Sequence, residues 1–573
     1  MRRHAVALPG IVLLACLMLA PGAIAQVLRV GTYNGVSGQY ATIQAAVDAA
    51  APHDWILVGP GDYKTASTQS VSGSGEKYPA AVLIATPDLT LRGMDRNAVV
   101  VDGTKPGTPQ CSSAAADQNF GPPTSAGPGG VNGVMVWKAG NVSVENMTAC
   151  NFLAGAGGNA GTAGGSGSTY ITGNEFWWNG GYDSSTVGGY GFNGSYLTAT
   201  STYYDGSTAQ SRASAAEYGI FSSNWSGGTW NQTYTSNMND SGLYIGACAQ
   251  LCNQTIDGAW SEYNALGYSG SNSGGNLVVE NSQFDNNEDG FDTNSQNGDN
   301  PPPQDGTCPN NAISPITHTH SCWVFIHNYV HDNNNPNVPT AGEAAAGPVG
   351  TGMSISGGRN DTVMNNTFAN NGAWGTIMVP YPDSGAPCTG GQPDNPILGS
   401  GSCLYDEYGN ALIDNTYQHN GFFGNATNGD FDQFNINGEP TNCYHGNTEA
   451  GGAVVSPDAA ALQSAYPTCN GASVPANLNL LFLDETGCDS EIALVAGGPV
   501  PCLPTDHYPR RTAVVMHRLP ANLPTMPSAC VGVPANPWCS GQVATVTGCV
   551  AASRTRAALA LARGESFVSV SVE

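Results

Sequence analysis

The sequence predicts an all-β fold, a right-handed parallel β-helix whose coils stack into one long solenoid. Three observations carry that expectation. Near the start, a short amphipathic helical pattern runs directly into an apolar strand and a sharp turn. Through the body, an apolar residue followed three positions later by asparagine recurs again and again. The composition, with 75 glycines and only 10% charged residues, lacks the Glu, Lys and Arg that coat helical proteins.

The elements follow in order. Arg2 and Arg3 precede an apolar run that ends at Ala23-Ile24-Ala25, the pattern of a secretory leader cleaved near Ala25. Its apolar core is too short for a membrane span, so residues 1–25 are expected to be removed and the protein secreted. Between Thr42 and Ala50, apolar residues fall at i, i+3, i+4 and i+7, one stripe of a short helix. Asp54-Trp55-Ile56-Leu57-Val58 then reads as a strand, stopped by Gly59-Pro60-Gly61. Such a helix caps the open end of a solenoid, which otherwise exposes strand edges.

In the body, Phe176/Asn179, Tyr234/Asn237, Phe284/Asn287, Val330/Asn333, Phe368/Asn371 and Tyr417/Asn420 repeat the apolar–asparagine spacing. The asparagines recur every 38 to 58 residues, which allows either two coils or one coil plus a loop between them. The apolar member should point inward, and asparagine at a fixed turn can bond coil to coil. Residues 26–445 are assigned to the solenoid and 446–550 to a Cys/Pro-rich C-terminal cap or small module. Residues 551–573 read as a disordered tail, while 155–167 and 295–321 read as lateral loops.

The segment Tyr40 to Thr65 resembles the amino-terminal cap and first coil of the pectin-lyase-like parallel β-helix superfamily, which includes pectate lyases, pectin methylesterases and polygalacturonases. That resemblance implies the architecture and leaves the chemistry open.

Charge and cysteine content exclude some functions. A formal net charge of −26 repels phosphate backbones, so nucleic acid is not an expected partner. Polyuronates are disfavoured too, unless calcium or a local arginine reverses the sign. Sixteen cysteines in an exported chain favour disulfides, with local pairs Cys248–Cys252, Cys308–Cys322, Cys388–Cys403 and Cys488–Cys502. A monomer is expected.

Chemistry concentrates in Phe284 to Asp292, where Asp285, Glu288, Asp289 and Asp292 fall within eight residues. Crowded carboxylates either bind a cation, here calcium, or hold a proton near neutral pH. Asn287 to Asp292 resembles the polygalacturonase motif Asn-Thr-Asp-Gly-(Ile/Phe)-Asp, which implies a catalytic role for Asp289. Thr351 stands where that family has a histidine, and its Asp-Asp and Arg-Ile-Lys motifs have no counterpart here. A calcium-assisted lyase needs a base, for which His331 and Arg359 are the candidates beside Asp289 and Asp292. Aligning Asn328 to Asn333 with Ser282 to Asn287 sets His331 beside Asp285 on the next coil. His318 and His320, two apart, could share a metal. Trp177, Trp178, Trp225 and Trp230, lying among glycines, are candidate sugar-stacking rings, with packing of a lateral loop as the alternative. The expected function is therefore a carbohydrate-active β-helix acting on polysaccharide. Lyase cleavage leads, with hydrolysis of polygalacturonase type and non-catalytic binding as alternatives.

Overall fold

The computed structural model describes residues 25–64, 69–73, 76–124, 127–155, 172–181, 188–206, 214–246, 248, 252–294, 323–340, 347–384, 388, 391–394, 401–434, 442–450, 459–468, 479–489 and 502–539. Within them the chain is a three-faced parallel β-helix. One coil runs Leu277–Glu280, Gln283–Asp285 and Asp292–Asn294; the next runs Trp323–Ile326, Tyr329–His331 and Thr351–Ser356. Each strand pairs in parallel with its equivalent one coil on, in register. The first two faces join one 21-stranded sheet, and the third is an 11-stranded sheet.

The N-terminal cap is the helix α1, Ile43–Ala49, with the Thr42 hydroxyl accepting from the Ala45 amide and Ile43, Ala46 and Val47 buried. The hydroxyl caps an amide that the first helical turn leaves unpaired, and the apolar stripe closes the end of the core. The strand Trp55–Val58 follows, paired in parallel with Val27–Val30.

Two of the three corners are built alike. A residue in the left-handed region, tolerated by Asn, Asp and His, is followed by a buried asparagine. At the corner between second and third faces, Asn286, Asp332, Asn370 and His419 have φ of 57°, 55°, 55° and 53°. The next residues, Asn287, Asn333 and Asn371, each donate backbone and side-chain N–H to the amide oxygen of the asparagine one coil on, ending at Asn420. Asn264 joins the same ladder ahead of Asn287. A second ladder at the corner between first and second faces links Ser282, Asn328, Asn366, Asn415, Asn447 and Gln463. These amides satisfy backbone groups that three turns per coil would leave unpaired in the interior.

The ladder resolves the spacing left open by the sequence. From Asn287 onward each interval is one coil plus a lateral insertion, whereas Asn237 to Asn287 covers two coils with Asn264 between. Asn179 and Asn237 lie outside this ladder: Asn179 accepts from the Gly181 amide, and Asn237 bonds the backbone of His517.

The residues three before each ladder asparagine fill the lumen. Phe284, Val330, Phe368 and Tyr417 are buried, and Phe368 stacks on Tyr417 at 5.2 Å. Each such side chain contributes about 1.5–3 kcal/mol of apolar burial, so stacking one per coil is what makes the solenoid cohere.

The C-terminal region packs against the solenoid in two ways. Helices α2, Ala459–Ala465, and α3, Leu480–Asp489, lie at the last coils, where Phe482 and Leu483 join Trp374 and Phe434. Residues 502–539 then form a strap running back toward the N-terminus. Its partners fall in number as the strap advances: Asn428 at Tyr508, Glu288 at Arg511, Asn237 at His517, Arg96 at Pro524, Arg92 at Ala529 and Val531, and Val36 at Trp538.

Disulfides join Cys248–Cys252, Cys388–Cys403 and Cys488–Cys502 as expected, and also Cys111–Cys150 and Cys530–Cys539. The leader, the Cys308–Cys322 pair, the tail 551–573, and most or all of the two expected lateral loops lie outside the described residues. Among the described residues, no helix is long and apolar enough to cross a membrane.

Candidate functional site

The acidic run divides among three places. Asp285 ends a second-face strand and projects outward, since Phe284 before it fills the lumen. Glu288 sits in the corner, buried, with its carboxylate 3.1 Å from Arg511 of the strap. Asp289 and Asp292 lie at the start of the third face. Among the described residues these four carboxylates do not gather into one ligand set. They do not fit a single shared calcium ion.

Asp289 and Asp292 are nevertheless linked. The Ser354 hydroxyl lies 2.9 Å from Asp289 Oδ2 and 2.5 Å from Asp292 Oδ1. It carries one hydrogen, so it cannot donate to two carboxylates at once; one of the acids is protonated. Burial raises both carboxyls, and at Asp289 the neighbouring Asp292 charge adds to burial and holds it well above the usual range. A proton held on Asp289 would let it donate to Ser354 and leave the Ser354 hydrogen for Asp292. Ser356 and Asn294 supply further donors to Asp292.

Arg359 is no free base. It is buried, its Nη2 lies 2.5 Å from Asp406 Oδ1, and its guanidinium covers the Tyr408 ring at 4.8 Å. The sequence places it in a turn between coils; there it acts as a buried ion pair locking that turn to the 406–408 segment.

Trp177, Trp178, Trp225 and Trp230 are each under 2% exposed, so none offers an open ring face to a sugar. Trp178 belongs to the main core with Trp225 and Trp230. Trp177, one residue earlier and on the opposite side of its strand, stacks on Phe221 at 5.1 Å in a separate cluster. All four are packing residues of the coils, not of a lateral loop laid on the solenoid. His318 and His320 lie outside the described residues.

His331 does stand beside Asp285, in register on the adjacent strand, with Nε2 3.9 Å from Asp285 Oδ1. Its Nδ1 lies 2.7 Å from Asp332 Oδ2, which favours the proton on Nδ1 and a lone pair on Nε2. One coil the other way, Glu262 is in register with Asp285. The outer side of the second face thus carries Glu262, Asp285 and His331 on three successive coils.

A second outward column, two residues earlier on each strand, runs Tyr234, Trp260, Gln283 and Tyr329. The Tyr234 hydroxyl donates to Glu262 at 2.7 Å. Asp285 accepts from Trp260 Nε1, Gln283 and Asn286. Burial, then the Asp285 charge, pushes the Glu262 carboxyl up to about 7. Burial raises Asp285 also, opposed by Gln283, His331, Trp260 and Asn286.

The sequence reading missed Glu262 because Ser261, not an apolar residue, stands three before Asn264. The signal was present in the following residues: Tyr263 adopts φ 58°, and Asn264 continues the ladder.

No family model matches the chain, and no curated protein matches it. Solved structures of similar outline include the mannuronan C-5 epimerase AlgE4 A-module of Azotobacter vinelandii, at 10% identity, covering 72% of this chain and 88% of that one, TM-score 0.36. The pectate lyase Pel9A is 13% identical over 76% and 78% of the two chains, TM-score 0.35. An alginate lyase from Paenibacillus sp. str. FPU-7 is 10% identical over 75% and 97%, TM-score 0.34. At these scores the likeness carries no argument about chemistry, which rests on the side chains.

Proposed function

We propose that this is an exported enzyme that cleaves a polysaccharide by acid–base chemistry on the outer side of the second face. The observation that carries the reading is the pair Glu262 and Asp285, in register on adjacent coils. Glu262, its carboxyl pushed by burial up to about 7, is suited to donate a proton to a leaving glycosidic oxygen. Asp285, fed by three side-chain N–H donors, is suited to carry negative charge beside a sugar ring acquiring positive charge. The two acids stand on adjacent coils, whose strands repeat about every 4.7–4.9 Å, so both flank one short stretch of the outer face. The disulfides, Cys111–Cys150 and Cys388–Cys403 among them, support an oxidising, extracytoplasmic setting.

A second reading, β-elimination, is favoured by His331, whose Nε2 is buried without a hydrogen-bond partner while Asp332 orients Nδ1. It requires a cation to neutralise a uronate. Arg359 and Arg511 are committed to Asp406 and Glu288, so hydrolysis is the better supported of the two.

The test is incubation with a panel of neutral and acidic polysaccharides. Hydrolysis yields new reducing ends without unsaturated products, and elimination yields both. Glu262→Gln should lose at least a hundredfold in rate with an unchanged fold; wild-type rate in that variant would refute the assignment.

A further inference from the structure

We infer that Trp260 and Tyr329 form a two-ring track holding an uncharged, extended glycan chain parallel to the solenoid axis, beside Glu262 and Asp285. This names a ligand class for the proposed polysaccharide site, and so rests on that reading.

The two rings share one outward column. Trp260 is in register with Gln283, and Gln283 with Tyr329, so the rings stand two coils apart, about 10 Å. That is close to the repeat of two sugar units in an extended β-1,4-linked chain, so one chain can place alternate sugars on the two rings. Both rings are fixed before any ligand arrives. Tyr329 lies over His331 at 3.9 Å between centroids, yet remains 42% exposed, among the most exposed large apolar side chains described. Trp260 packs edge-on against Tyr234 at 5.1 Å and points its Nε1 at Asp285. Its body stays partly open. A rigid ring loses little conformational entropy on contact, and its flat face suits the C–H side of a sugar.

Gln283, between the rings, gives its side-chain N–H to Asp285 and so ties the track to the acid column. The acid column runs alongside, two residues further along each strand, with Glu262 on the same strand as Trp260 and its carboxylate bonded to Tyr234. The class follows from charge: Glu262, Asp285 and Asp332 border the track on a protein of formal charge −26. A chain of uronates there meets the like charge of Asp285 and Asp332, whereas a neutral glycan offers hydroxyls from which carboxylates can accept hydrogen bonds.

The experiment is calorimetric titration of the full-length, disulfide-intact protein with cellohexaose, xylohexaose, mannohexaose and hexagalacturonate. Wild type, Tyr329→Ala and Tyr329→Trp are compared at matched thermal stability. At least one neutral hexasaccharide should bind more tightly than hexagalacturonate. Tyr329→Ala should weaken it about tenfold, and Tyr329→Trp should keep or strengthen it. Tighter binding of hexagalacturonate, or no binding of any neutral probe, overturns the ligand class; unchanged affinity in Tyr329→Ala overturns the track. Binding is scored apart from cleavage. A track that behaves as expected in a protein that cleaves nothing refutes the catalytic reading alone, and cleavage that survives with wild-type affinity in Tyr329→Ala refutes the track alone.

Discussion

Asn333→Ala should be among the most damaging single changes that touch no apolar atom. The Asn333 amide is buried and makes four bonds: Oδ1 accepts from the backbone and side-chain N–H of Asn287, and Nδ2 donates to Phe284 O and Asn371 Oδ1. Each neutral bond contributes about 1 kcal/mol net, and a buried backbone N–H left unpaired costs about 1–3 kcal/mol. The Asn287 side chain keeps its bond to Ser261 O, so its own loss is partial. The expected total is about 4 kcal/mol, comparable to emptying a large core site. Asn420 is the internal comparison: it ends the ladder, is partly exposed, and water can replace part of what it gives. Asn420→Ala should therefore cost about half as much or less. The assay is equilibrium urea unfolding of the oxidised protein followed by tryptophan fluorescence, with refolding checked on dilution. A loss below about 1 kcal/mol for Asn333→Ala, or an equal loss at Asn420, would show that the ladder is not holding the coils.

Three further outcomes follow from the buried charges. Glu262 has a raised carboxyl in the folded chain, about 7 against 4.5, so the folded state binds the proton more tightly than the unfolded one. Its contribution is fully present below about pH 4.5 and is lost as pH rises through 7, on the order of 2 kcal/mol after solvent screening; Glu262→Gln should flatten that stretch of the stability–pH curve, and an unchanged curve would contradict the assignment. Asp289→Asn, which keeps a donor toward Ser354, should stay within about 1 kcal/mol of wild type at pH 7, whereas a loss above 3 kcal/mol would mean that Asp289 is ionised. Arg92→Met strips the strap carbonyls of Ala529 and Val531 and leaves Glu145 with only Asn193, so the strap should be nicked by protease far faster than in wild type; equal resistance would show that the strap is held elsewhere.

The fold was legible because a coil repeats its physics. Phe284, Val330, Phe368 and Tyr417 each sit three before a ladder asparagine, and that spacing encodes an inward residue, an outward residue, a left-handed residue and a turn amide. The same code, Phe325/Asn328, Val363/Asn366, Leu412/Asn415 and Tyr444/Asn447, marks the second ladder, which went unread beside the first. The strap was not legible. It has no periodicity, and its partners on the solenoid lie 80 to 502 residues away along the chain, so only the assembled solenoid brings Arg92, Arg96 and Asn237 into the line that receives it.

The site was half legible for a related reason. Aligning two coils correctly set His331 against Asp285, because a parallel ladder makes equal offsets from the turn into neighbours in space. Proximity in sequence misled in the acidic run: Asp285, Glu288, Asp289 and Asp292 are consecutive around a corner, and a corner turns neighbours outward to different faces. In a β-helix, side chains that meet in space come from equivalent positions on successive coils, as Glu262, Asp285 and His331 do, 23 and 46 residues apart. That geometry also explains why the two acids can differ in proton affinity while sharing one flank. Glu262 receives one donor, the Tyr234 hydroxyl, whereas Asp285 receives three N–H donors from its own strand, the preceding coil and the adjoining turn. Each acid's environment is written by its coil, and only their separation by the stack.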